Sequence, residues 1–161
     1  MNDQLKYGPV KGEESAVKVP MLVTTAETFR AKSGRFVTLN TTTGAVEVAD
    51  AGETLLFGWA EAPDSGSSTT AANLEVNVIP AMGCSCIFRI PIITGTLTRA
   101  MFGKTVDLVR STVGSETLIQ GADLTASGED CLLIVGGDIE GNHYVDVMFT
   151  PEKETGRSGV V

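Results

Sequence analysis

Apolar and polar positions alternate in short runs along most of this chain, and the runs end at turns that carry glycine. Phe36, Val37 and Leu39 precede the turn-like TTTGA, after which Val46 and Val48 flank Glu47. One buried and one wet face is the pattern of an antiparallel strand, so RFVTLN and AVEVA read as a β-hairpin. The next run, TLLFGWAEA, holds the single tryptophan, Trp59, and is expected at the centre of a sheet, with Gly58 allowing a bend or bulge. In LEVNVIP, Leu74, Val76 and Val78 alternate with Glu75 and Asn77, and CIFRIPII follows as a longer apolar run. Pro91 lacks an amide donor, which predicts an edge position or a strand end there.

The later runs TVDLVRS, ETLIQG, DCLLIVGGDI and NHYVDVMF again read as short strands, with Val145, Val147 and Phe149 on one face. Only TLTRAMFGK, Thr96 to Lys104, carries a helical pattern. Thr96 is its cap, Leu97, Ala100 and Met101 share a side, and Gly103 stops it. Strands at close intervals without alternating helices predict an all-β barrel or sandwich with one short helix.

Three polar stretches frame this domain. Residues 1–20, with Pro9 and Pro20, show neither a helical stripe nor clean alternation and read as an extended N-terminal arm that orders against a partner. The Ser/Thr/Gly-rich segment from Pro63 to Asn73 reads as a mobile surface loop. Residues 151–161 read as a flexible C-terminal tail, which leaves 21–150 as the folded domain.

Composition narrows the function. A chain of 161 residues, 42% hydrophobic, fills one core without disulfide or metal staples. Twenty acidic against twelve basic side chains give a formal charge of −8, which repels phosphate backbones and argues against a nucleic-acid partner. No run approaches the ~20 apolar residues that span a bilayer, and the charged opening MNDQLKYGPVKGEE has no apolar signal core, so neither a membrane partner nor export is expected. Three cysteines cannot all pair with one another, and Cys84 and Cys86 lie too close along an extended strand to bond comfortably. Reduced thiols acting as small hydrophobes are the expected state of Cys84, Cys86 and Cys131.

His143 is the sole histidine, which leaves no paired-histidine mechanism and expects a polar role beside a turn. A Cys3His zinc set of Cys84, Cys86, Cys131 and His143 departs from the usual C-x2-4-C knuckle, and a cysteine nucleophile has only His143 as base. Asp138, Glu140 and Asp146 cluster late in the chain, but GGDIEGN lacks the ligand ladder of a calcium loop. Gly136-Gly137 has no Lys-Ser/Thr behind it, and Ser65, Ser67 and Ser68 have no G-x-S-x-G frame. Trp59 is expected in the core rather than on a stacking platform. No catalytic, cofactor-binding or metal residues are assigned, and the chain is expected not to be an enzyme.

The order of features, a polar arm, then AETFRAKSGRFVTLNTTTGAVEVADAGETLLFGWAEA, IFRIPI, GKTVDLV and YVDVMF, resembles the capsid decoration or cement proteins of tailed bacteriophages. The resemblance covers most of Thr25 to Phe149 and rests on the pattern of strands and turns. It implies a β-barrel-like or β-tulip domain, often a homotrimer, on the outer capsid surface of the virion, made in the host cytoplasm and bridging neighbouring major capsid subunits. The capsid-contacting part of such proteins maps by position onto the arm, where Lys6, Tyr7, Lys11 and Lys18 are the expected anchors. Two other readings stand beside it: a glycan- or host-surface-binding β module using Asp64 to Asn73, and a small hydrolase using Asp138 or Asp146.

Overall fold

A computed structural model of the chain describes residues 7–24, 34–50, 55–61, 75–113, 116–125 and 131–150, the side chains of 111–119 excepted. The strands are β1 (Gly8–Lys11), β2 (Val19–Leu22), β3 (Arg35–Leu39), β4 (Val46–Val48), β5 (Gly58–Ala60) and β6 (Glu75–Pro80). They continue with β7 (Ile87–Thr94), β8 (Thr105–Val113), β9 (Glu116–Asp123), β10 (Leu132–Gly137) and β11 (Tyr144–Phe149). The protein is nearly all β, as the alternation predicts.

Two rolled sheets make up the fold. In the first, the order β1-β7-β11-β10-β8-β9 is closed by a parallel pairing of β9 with β7, so five strands form a barrel and β1 is an added edge. The second has the order β2-β6-β5-β3-β4 and curls into a half-barrel, its two margins meeting at one bridge between Val23 and Val46. β5, with Trp59, is the central strand of this sheet. The half-barrel is lined by small β-branched residues, Val23, Val37, Val46, Val48, Val76 and Val78, which suit its tight curvature.

The larger core joins the two sheets. Phe36 and Trp59 leave the outer face of the half-barrel and meet Phe88 and Phe149 of the barrel, with ring centroids 4.8–5.6 Å apart and mostly edge-to-face. Such pairs add about 0.5–1.5 kcal/mol each beyond the area they bury. Val145, Val147 and Phe149 face inward together on β11, as their spacing predicts. Gly58 makes no bulge. It lets β5 lie flat against β6, because a Cβ there would stand 2.2 Å from the Ile79 carbonyl oxygen.

Three expectations change in form. The helix expected within Thr96–Lys104 is a single 3-10 turn, Arg99–Met101, because Thr98 is extended before it and Phe102 after it. Burial of Leu97 on one side, and the Gly103 amide donating to the Ile134 carbonyl on the other, pull both flanks out of helical geometry. Pro91 sits inside β7 rather than at an edge or end. β1 borders β7 at Ile87–Arg89 and β9 borders it at Ile92–Thr94, so the missing amide falls where one neighbour gives way to the next. Finally, the segment expected as an arm is extended at Gly8–Lys11 and Val19–Leu22 but lies there in the chain's own sheets, β1 on the barrel and β2 on the half-barrel. Pro20 falls within β2, at the margin of its sheet. The loop at 63–73 and the tail at 151–161 lie outside the described residues.

Candidate docking surface

The N-terminal segment runs across both sheets, β1 pairing with β7 and β2 with β6, and carries three of the four expected anchors within the described residues. Its first strand is held by backbone rather than by apolar side chains: Gly8 packs over the Trp59 ring, where a Cβ would stand 3.2 Å from Cζ2. β1 then pairs antiparallel with β7, Pro9 opposite Phe88 and Lys11 opposite Ile87, with a register shift between Pro9 and Lys11. Among the described residues β1 has no strand on its other side, so the outer margin of Gly8–Lys11 is open. A left-handed Gly12 turns the chain into the 3-10 turn Glu13–Ser15, and Val17 stands clear of the surface at 73% exposure before β2 begins.

The expected anchors divide three ways. Tyr7 and Lys11 are exposed at the two ends of the open strand. Partial burial of the Tyr7 ring pushes its hydroxyl pKa up, so the phenol stays neutral and can donate a hydrogen bond. Lys18 is engaged within the chain: its Nζ lies 2.6 Å from Glu61 and 3.7 Å from Glu13, and the Glu61 hydrogen bond raises its pKa. Lys6 lies outside the described residues.

Beside this strand a cleft of about 320 Å³ opens between the Glu13–Ser15 turn and the connection from β6 to β7. Ala16 and Val17 form one wall, and Met82, Cys84 and Cys86 the other. All three cysteines carry free thiols, as expected of this chain. Burial is the largest cause that pushes the Cys86 thiol up to about 12, so it is a protonated thiol at neutral pH. The sequence reading missed this cleft. Its signal is the exposed Val17 and Met82, apolar residues at positions that a strand alternation would leave wet.

The other candidate groups are committed to structure. Asp138 accepts a hydrogen bond from the Gly141 amide and lies 2.8 Å from His143 Nδ1, contacts that hold its carboxyl below the usual range. Next to it Asn142, at φ 53°, accepts from the Leu97 amide and donates to the Gly95 carbonyl, which ties the β10–β11 turn to the end of β7. Asp146 takes both arms of Arg89, at 2.8 and 3.0 Å, with the guanidinium 3.8 Å from the Tyr144 ring centroid. The two aspartates of the hydrolase reading are therefore each held by a basic partner. Cys131 is buried, and its thiol faces the Val106 carbonyl. Among the described residues, no three His, Cys, Asp or Glu side chains gather as metal ligands. No helix among them is long and apolar enough to cross a membrane.

The N-terminal face therefore combines a sheet-edge strand, one exposed phenol, one exposed ammonium and a neighbouring cleft with apolar lining. Compared with known proteins, the chain matches no family model, no curated sequence and no solved structure.

Proposed function

We propose that this chain is a non-enzymatic virion protein that binds the outer surface of an icosahedral phage capsid, bridging neighbouring major capsid subunits as a homotrimer and stabilising the expanded shell. The observation that carries this reading is β1 as the edge strand of its sheet among the described residues, flanked by exposed Tyr7 and Lys11, on a segment that itself joins both sheets. Strand addition at such a margin supplies backbone hydrogen bonds and needs no conspicuous side-chain constellation. A load applied there passes to the barrel through β1 and to the half-barrel through β2, so the contact is anchored in both cores. Three such contacts in one trimer raise avidity, so each alone can be weak. The excess of acidic side chains keeps many free copies apart before they assemble.

Co-sedimentation with bare expanded capsids of the encoding phage tests the reading. Because removal of 1–20 would strip β1 and β2 from their sheets, the informative variants are point changes. The intact protein is expected to pellet saturably, and Tyr7→Ala with Lys11→Glu to lose that binding while remaining folded. A chain that never pellets, or shells that withstand heating equally well with and without it, would overturn the proposal.

A further inference from the structure

Between β6 and β7 the chain reads Met82-Gly83-Cys84-Ser85-Cys86, three sulfur-bearing residues at alternate positions. The Cys84 amide donates to the Ala81 carbonyl at 3.1 Å, closing a turn with Met82 and Gly83 at its centre. Gly83, at φ 72° with nothing within 4 Å of a Cβ, supplies the positive φ that such a turn requires. Residues 84–86 are therefore not on an extended strand that holds their side chains apart. The Cys86 amide donates to Cys84 Sγ at 3.4 Å, so the Cys84 side chain folds along the chain toward Cys86, and both cysteines line one cleft. Met82, 59% exposed, stands on the rim of the same cleft that Cys84 and Cys86 line. Three sulfur-bearing side chains thus share the lining of one cleft.

We propose that Met82, Cys84 and Cys86 form a binding site for a soft monovalent cation of the Cu(I) type, with two thiolates and one thioether as its donors. Sulfur donors select soft ions over calcium, magnesium or manganese, which take oxygen ligands. Zinc favours four ligands in a closed site, and the lone histidine is held by Asp138 instead. The Cys86 amide directed at Cys84 Sγ is the outer contact that orients a ligand and supports negative charge on it. Each thiol gives its proton to solvent as its sulfur bonds the ion, so one Cu(I) displaces two protons and leaves a singly negative site. Ala16 and Val17 form the apolar wall that faces the sulfur-bearing residues across the cleft. Copper uptake is read on the chain alone, so its failure and a failure of capsid binding are told apart.

Anaerobic titration of the full chain with Cu(I), delivered as its acetonitrile complex against the chromogenic chelator bicinchoninate, tests the site. The expected result is one equivalent held per chain. Cys84→Ser should weaken uptake by more than about 100-fold, beyond the loss an outer contact causes. Met82→Leu should weaken it by about tenfold, thioether being the lesser donor, and Cys131→Ser should leave it unchanged. Neither Met82 nor Cys84 is fully buried, so near-ultraviolet dichroism from Trp59 should report an intact fold in both variants. Failure of the chain to compete with the chelator, or uptake by Cys84→Ser equal to that of the parent, would overturn the proposal.

Discussion

The joint between the two sheets and the N-terminal face differ in what they leave over. At the joint nearly every group is committed. Gln120 of β9 accepts from the Phe36 amide at 2.7 Å and donates to the Phe36 and Ala49 carbonyls, so one buried side chain acts as a short strand between barrel and half-barrel. Arg110 of β8 reinforces it through the Ala49 and Val48 carbonyls and faces Asp50. On the N-terminal face, by contrast, β1 is a sheet edge among the described residues, and Tyr7, Val17 and Met82 are exposed. The joint commits its polar and aromatic groups to holding the two sheets together, whereas the face leaves a sheet edge and apolar side chains that the proposed capsid contact would use.

The comparison is broken most severely by emptying the joint. Phe36→Ala removes a fully buried ring that touches Trp59, Phe88 and Phe149 at once. A loss of about 3–5 kcal/mol is expected in denaturant unfolding. A change below about 1 kcal/mol would show that the aromatic cluster does not join the sheets. Gln120→Leu comes next, since it keeps volume but strands the Phe36 amide, for a cost of about 1–3 kcal/mol. If the Trp59 fluorescence transition and far-ultraviolet dichroism then separate, the two sheets have become independent, and the polar strut rather than the rings is what makes them fold together.

How much of this was legible in the sequence follows from range. Hairpin turns and alternation are local, so β3, β4, β6 and β11 appear directly in RFVTL, VEV, EVNVIP and YVDVMF. The joint is not local: Gln120 and Phe36 are 84 residues apart, and nothing in ETLIQG says which strand its glutamine reaches. β3 also hides its role, because Phe36 and Val37 are both fully buried, one toward the barrel and one inside the half-barrel. A single buried face was the expectation that alternation supports. The arm misled for a related reason. Its order comes from backbone pairing and from Gly8 against Trp59, neither of which registers as apolar patterning. The sulfur cleft was visible as MGCSC, but a strand reading placed its cysteines side by side instead of folding one back on the other.

On the other side of the comparison, changes to the face should spare stability and remove binding. Tyr7→Ala and Lys11→Glu touch exposed positions, and each should shift unfolding by no more than about 0.5 kcal/mol. Capsid pelleting should fall by about tenfold or more for the pair, in keeping with loss of an aromatic anchor and reversal of a charge. Weakened pelleting that tracked lost stability would dissolve the distinction between face and joint.

Lys18 gives the smallest effect and the sharpest boundary, because it lies on the N-terminal face yet is tied down like a group of the joint. Its ammonium links the segment before β2 to Glu61, just beyond β5, and to Glu13 in the preceding turn. Both pairs are partly exposed, so Lys18→Ala should cost only about 0.2–1 kcal/mol, less at high salt. The Glu61 contact raises the Lys18 pKa in the folded chain, so the folded state holds its proton more tightly than the unfolded state does. That contribution is complete below the ordinary lysine value and disappears as pH rises through the raised one. Unfolding of parent and Lys18→Ala should therefore differ at neutral pH and converge in strong alkali. If Lys18→Ala instead left stability unchanged and abolished capsid pelleting, Lys18 would belong with Tyr7 and Lys11 as an anchor, and the boundary of the docking surface would move to the start of β2.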